Sequence, residues 1–198
     1  ALRSANTSTY FNILYPKKEH ITSAQLAFLQ RLLDTVDLRA ASAPGAGSLE
    51  EVVDFPSFAR YFVLQELAKD LDGYAFSDYM SVEEGKLFHA SPWDFDLAFH
   101  FACMPRYYTN AWTGDVTMGV EGWNVENLRT MGYWIGSDGM PGGSTIEFGM
   151  NKRQLFLNLW GHPRFRTAFA TAWRSARDGP LSDMALWEMV GSRSHEIE

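Results

Sequence analysis

Leu26, Leu29, Leu33 and Val36 recur at spacings of three and four, which lines one face of a helix over residues 23–38. Thr22 and Gln25 precede this run at the capping-box spacing, in which each side chain answers the other's backbone N–H. A second helix is predicted from a cap at Asp54 to about Lys69, with Pro56 tolerated in its first turn. Its apolar residues, Phe55, Phe58, Tyr61, Phe62, Val63, Leu64 and Leu67, run almost all the way round, so it belongs in the centre of the fold. Residues 9–15 read as a strand stopped by Pro16, and Ala40 to Ser48 as a loop of small residues, Gly and Pro. Residues 74–80 and 86–90 read as the two strands of a hairpin turning at Glu83-Glu84-Gly85, with Ser91-Pro92 as its stop. Gln154–Trp160, Arg164–Ala176 and Ser182–Val190 read as three closing helices. Between 104 and 150 Gly, Trp, Tyr and Met alternate without a period, which predicts a long ordered loop region with short helices. No internal repeat is visible. The expectation is an α+β chain, mainly helical, forming a single domain over 1–198 with one small hairpin in its middle.

Composition narrows the class. The chain has 198 residues, 46% apolar and 15% aromatic, enough for one well-filled globular core and too few for two ordinary ones. Its net charge of −7, with no Lys/Arg run longer than two, disfavours a nucleic-acid partner. The longest apolar run, Tyr61 to Leu64, is far short of a bilayer span. Cys103, the one cysteine, excludes an internal disulfide and any Cys-cluster metal site, and reads as a small buried hydrophobe. The chain begins Ala1-Leu2-Arg3-Ser4 with no signal-like pattern, as a processed product or a piece of something longer would. Asn6-Thr7-Ser8 matches the glycosylation sequon.

The chemistry-bearing stretch is 66–96. Asp70 and Asp72 stand before the hairpin and Asp94 and Asp96 after it. Antiparallel strands bring the two ends of a hairpin side by side, so Asp72 and Asp94 are expected to be neighbours. Carboxylates gathered in this way repel unless a cation or a raised pKa relieves them. Mg²⁺ suits the place, because it asks for one or two carboxylates and takes phosphate oxygens for the rest. A helix, an Asp in a loop, a hairpin and then Asp-Phe is also the layout of a protein-kinase C-lobe. On that layout Asp72 is the residue that accepts the substrate hydroxyl proton. Ser77, five residues on, takes the place of the metal-holding amide, and Asp94 takes that of the Mg²⁺-binding Asp. His-Arg-Asp is absent, and Asp96 stands where a conventional kinase has Gly.

Ser57-Phe58-Ala59-Arg60-Tyr61-Phe62 with Gln65-Glu66-Leu67, then Asp72-Gly73-Tyr74 with Ser77, Gly85-Lys86-Leu87, and above all Pro92-Trp93-Asp94-Phe95-Asp96-Leu97-Ala98-Phe99 resemble the CotH kinase family. The family takes its name from a spore-coat protein and consists of atypical, often secreted, protein kinases. The likeness extends from Tyr15-Pro16-Lys17 to the helix running from Phe165 to Trp173, roughly 10–180. It implies transfer of the ATP γ-phosphate to Ser or Thr of a partner protein with Mg²⁺ or Mn²⁺, and a secreted, cell-surface or coat location. It carries the base role onto Asp72 and the metal role onto Asp94. Asp96 becomes a second acidic contact to metal and nucleotide, with Ser77 beside them. The chain departs from the family at Asp70, where many members have Asn, and at His100-Phe101, where they continue Gly-Asn. Its first 50 residues hold no Gly-rich strand pair followed by Lys, so the expectation is a C-terminal catalytic lobe without the nucleotide lobe. A catalytically inactive kinase-like module that binds partners in a coat or extracellular assembly is the alternative.

Other residues have plainer readings. Glu66, on the apolar helix, is expected to be a buried, hydrogen-bonded carboxylate that orients the catalytic loop. His89 and His100 are expected in packing or surface roles, and the Trp and Tyr residues between 107 and 134 in the core. Taken alone, Asp94 reads as the cap of a helix starting at Phe95.

Overall fold

A computed structural model describes residues 2–4, 10–41, 47–70, 73–74, 78–95, 98–99, 122–127 and 152–194. Helix α1, Ser23–Ala41, starts as its sequence requires: Thr22 N–H donates to Gln25 Oε1 at 2.8 Å, and Gln25 N–H to Thr22 Oγ1 at 3.2 Å. It runs three residues past the expected end. Helix α2, Phe55–Ala68, is capped by Asp54, whose Oδ1 accepts from Ser57 N–H at 2.8 Å. Ten of its 14 residues are buried, including both Gln65 and Glu66, as befits the central helix.

The strand expected over 9–15 shortens to β2, Tyr10–Phe11, paired antiparallel with β1, Leu2–Arg3. Leu14 and Tyr15 are exposed, so nothing rewards continuing the ladder past Phe11. The hairpin is present but shifted, with β3 at Asp78–Glu83 and β4 at Lys86–Pro92. Tyr74, expected in the first strand, lies instead in a turn, fully buried. The return strand passes Ser91 and reaches Pro92, opposite Asp78. A two-stranded ladder has free edges that excuse the missing proline N–H. Between the Tyr79–Ser91 and Met80–His89 pairs the register slips by one residue, a bulge at Ala90.

The hairpin is bolted to the start of α2. Asp54 N–H donates to Leu87 O at 2.9 Å and Leu87 N–H to Val52 O at 2.8 Å. His89 N–H donates to Ser57 Oγ at 3.1 Å. The short helix α3 is Asn124–Asn127, and three helices close the chain: α4, Lys152–Gly161; α5, Pro163–Arg177; α6, Asp183–Ser194. The first two contain the segments expected there, and α6 starts one residue later than expected, at Asp183, and runs four residues further, to Ser194. The remainder of 104–150 and Cys103 lie outside the described residues. Overall the architecture is mainly helical, with small two-stranded antiparallel sheets. Among the described residues no helix is long and apolar enough to cross a membrane.

The core is aromatic. Phe62 lies at its centre, with ring centroids 4.9 Å from Phe165, 5.0 Å from Tyr74 and 5.8 Å from Phe156, and Trp160 stacks on it at 6.2 Å. Aromatic rings supply large apolar areas and favour tilted and edge-to-face contacts of this kind. Phe62→Ala is expected to destabilise the chain by about 3–5 kcal/mol, the usual cost of emptying a core aromatic site. Leu64→Ala, on the exposed side of the same helix, should cost well under half of that. Urea unfolding of the two variants checks the contrast, and equal losses would contradict the central position of Phe62.

Candidate active site

Helix α2 ends at Lys69, which turns left-handed at φ 53° while its N–H still reaches Gln65 O at 2.9 Å. That reversal directs the chain into the turn carrying Asp70, Gly73 and Tyr74. Glu66, one turn before the end, points into the protein, and its two oxygens are used from three directions. Oε1 accepts from the Tyr74 hydroxyl at 2.8 Å and from Val125 N–H at 2.9 Å, while Oε2 accepts from Asn124 N–H. Lys69 Nζ stands 3.9 Å from Oε2 and donates to Gly122 O at 2.5 Å. Asn124 completes the arrangement by donating from Nδ2 to Asp70 O at 2.8 Å. Glu66 is therefore the buried, hydrogen-bonded carboxylate that was expected, bonded to Tyr74 in the turn after α2.

The electrostatics follow from burial. Desolvation pushes the Glu66 carboxyl above its ordinary pKa, and the hydrogen bonds from Val125, Tyr74 and Asn124, with the Lys69 charge, pull it part of the way back. Tyr74 is raised well above the usual phenol value by burial and then by the Glu66 charge, so it stays a neutral donor. Tyr61 is raised by burial first and then by the charges of Asp78 and Asp70; its hydroxyl donates to Gly73 O. Asp70 is fully buried and Asp78 nearly so. His89 stacks face to face on Tyr61, with centroids 3.4 Å apart, which fits the packing role expected for it.

Gly73 is required by closeness. A Cβ there would lie 2.2 Å from the Gln65 side-chain amide, itself fully buried. Turn and helix therefore touch backbone to side chain, and two hydroxyls, those of Tyr61 and Tyr74, hold the turn against α2.

On the far side of the hairpin, Asp94 is exposed and left-handed, with φ 58°. Asp tolerates that region better than most residues, yet it still costs about 1 kcal/mol or more and is concentrated at functional positions. Trp93 beside it is 56% exposed and meets Tyr79 edge to face at 5.7 Å. Phe95 and Ala98 are not helical, and Ala98 N–H donates to Phe95 O at 3.1 Å. Phe99, also left-handed, donates its N–H to Ala68 O at 2.5 Å at the end of α2. The cap reading of Asp94 thus gives way to an exposed carboxylate on a strained backbone. Of the sequence-predicted site residues Asp94 is described, whereas Asp72, Ser77 and Asp96, like His100, lie outside the described residues. Among the described residues no three His, Cys, Asp or Glu side chains gather as a metal cage. One open carboxylate still fits a Mg²⁺ ion that takes its other ligands from phosphate and water. Sequence reasoning passed over Asn124 and Lys69; nothing in the composition of 104–150 marks Asn124, and its partners are more than 50 residues away.

Two variants probe this geometry. Gly73→Ala should destabilise by about 1–3 kcal/mol, because the buried Gln65 amide has to move inside a packed core; an unchanged melting temperature would contradict the contact. For Glu66 the sign follows from its raised pKa. Its contribution to stability is present in full below the ordinary carboxylate pKa and is lost as pH rises through the higher folded value. The stability of the wild type relative to Glu66→Gln should therefore fall as pH rises above the ordinary carboxylate pKa, read from urea unfolding at each pH. A gap independent of pH would refute the assignment.

A family model described as CotH kinase protein matches residues 2–198, from β1 through α6 and beyond. Searches of curated proteins and of solved structures gave no match. A match of that extent, together with a hairpin that leads from the Glu66-tethered turn to Asp94, decides the family: the chain belongs to the CotH kinase family.

Proposed function

We propose that the chain is the catalytic lobe of an atypical protein kinase, all of 1–198 forming one kinase-like C-lobe, which transfers the ATP γ-phosphate to Ser or Thr of a partner protein. The hairpin register carries this reading: Asp78 pairs with Pro92, so the strand that follows the 70–74 turn begins beside the strand that delivers Asp94. A proton acceptor before the hairpin and a cation ligand after it are thereby expected at one place, which is what in-line phosphoryl transfer requires.

In this mechanism Asp72 accepts the proton of the acceptor hydroxyl. The hydroxyl oxygen bonds to the γ-phosphorus as the bond from that phosphorus to the β–γ bridging oxygen breaks, and ADP leaves with the electron pair. Asp94 would hold Mg²⁺ or Mn²⁺ with Asp96 as second acidic contact, and Ser77 would contribute to nucleotide binding. The bound metal would supply charge neutralisation for the phosphate oxygens. Exposure of Asp94 supports the assignment, because a structural acid would gain by being satisfied within the protein, whereas a ligand shared with a nucleotide has to stay open. The left-handed backbone supports it too, since that conformation adds nothing to packing.

A second reading, a catalytically inactive binding module in a coat or extracellular assembly, is favoured by Asp70 standing where the family has Asn and by His100 after Phe99. Nucleotide binding separates the two. Calorimetry with Mg-ATP should show binding that EDTA abolishes, and labelled γ-phosphate should pass to a Ser/Thr-containing protein. Asp94→Asn and Asp72→Asn should each lower transfer by roughly a hundredfold or more while the fold is retained by circular dichroism. Transfer undiminished in Asp94→Asn would remove the metal role, and no nucleotide binding together with a stable protein complex would favour the inactive module.

A further inference from the structure

The segment 122–127 lies within the long aromatic stretch, and of its residues Trp123 is the one for which a place in the core is expected. One side does pack. Val125 is fully buried, and Trp123 meets Phe169 and Trp173 edge to face, each at 5.3 Å. Glu126 accepts from Trp160 Nε1 at 3.1 Å, which ties the same segment to α4. Its other side does something a core filler has no need to do. It spends two backbone N–H groups on Glu66, one side-chain amide on Asp70 O, and the Gly122 carbonyl on Lys69. These four bonds go to three residues: Glu66 in the last turn of α2, Lys69 at its C-cap and Asp70 just after it.

The Asp70 carbonyl is the informative one. It lies past the end of α2, where no helical N–H is available to it, and Asn124 supplies the donor from a buried position. Glu66 meanwhile binds both 124–125 and Tyr74, so a single carboxylate connects the segment to the other end of the same turn. The chain after α2 is thus held at Asp70 by the remote segment and at Tyr74 by Glu66, the carboxylate that the segment shares, with Asp72 between the two in sequence. Bonds to charged or buried partners of this kind are costly to break, because the partner left behind is desolvated.

We propose that 122–127 is a positioning element of the site and Asn124 its positioning residue: through Asp70 O and the shared Glu66 it sets the placement of the 70–74 turn. The proposal rests on the kinase reading for its effect on transfer, but not for its effect on the turn. Hydrogen exchange on the full chain measures the turn directly. In Asn124→Ala, amides of a peptide spanning 66–74 should exchange roughly ten- to a hundredfold faster, with peptides from α1 and α5 unchanged. Lys69→Met, which keeps the apolar stem and removes the bond to Gly122, should give a smaller increase in the same peptide and serves if Asn124→Ala does not fold. Phosphate transfer adds the second readout: in Asn124→Ala, kcat should fall about tenfold or more with KM for ATP within about twofold, a split that partial unfolding alone does not produce. Unchanged exchange at 66–74 in both variants overturns the proposal. Faster exchange with kcat and KM unaltered overturns the positioning role. Failure of the full-length wild type, nucleotide lobe included, to transfer phosphate defeats the kinase reading instead, and the exchange result alone then upholds or overturns the hold on Asp70.

Discussion

A carboxylate placed inside an aromatic core has to be met by donors, and the donors for Glu66 come from parts of the chain far apart in sequence. That requirement organises the molecule. Burial of α2 is driven by its phenylalanines, yet the cost of taking Glu66 along is offset only when the 73–74 turn and the 124–125 backbone both close on it. One residue therefore couples the central helix to the turn before the hairpin and to the middle of the long aromatic region. Replacing it by an apolar side chain of similar size would remove a charge from the core, but it would also leave two peptide N–H groups and a phenol without an acceptor.

Two left-handed residues, Lys69 and Phe99, sit at the end of α2, and a third, Asp94, follows the hairpin. Lys69 ends α2 and turns the chain inward; Phe99 closes the post-hairpin stretch by returning its N–H to Ala68 O. Both bends thus meet at the same helix end. Asp94 differs in that its bend is not repaid by a hydrogen bond to the helix and its side chain faces solvent. Strain that closes a helix is ordinary; strain that holds an acid open to solvent is the kind kept at sites of chemistry.

The helices were legible because their signals are local. The capping pair Thr22/Gln25, the Asp54 cap and the apolar circumference of α2 each lie within a few residues of what they specify, and the three closing helices are separated by plain breakers. The first strand was read too long and the hairpin too early for one reason: alternation marks residues that want burial, not residues that have a partner strand. Tyr74 is buried, as its pattern suggests, but by a carboxylate and aromatic rings instead of a ladder. At the site, Asp94 was legible from its place after the hairpin, and Glu66 from being an acid on an apolar helix. Asn124 and Lys69 were not, since their meaning lies in carbonyls on distant segments and neither belongs to a short motif.

The contrast between Asp70 and Asp94 sharpens what the acid-rich stretch is for. The two flank the hairpin, yet Asp70 is fully buried near Tyr61, and Asp94 is open to solvent. Burial first, and then Asp78 and Asp70, raise the Tyr61 phenol above its ordinary pKa, so it stays neutral and able to donate to the Gly73 carbonyl. The acids before and after the hairpin therefore stand in opposite surroundings, one buried beside the Tyr61 phenol and one open to solvent. An Asp in place of the family's Asn at position 70 then need not signal lost chemistry, because here the amide that reaches the turn is supplied from position 124 and donates to the backbone of Asp70 itself. The same substitution that favours an inactive module is thus also consistent with a turn that is held by other means.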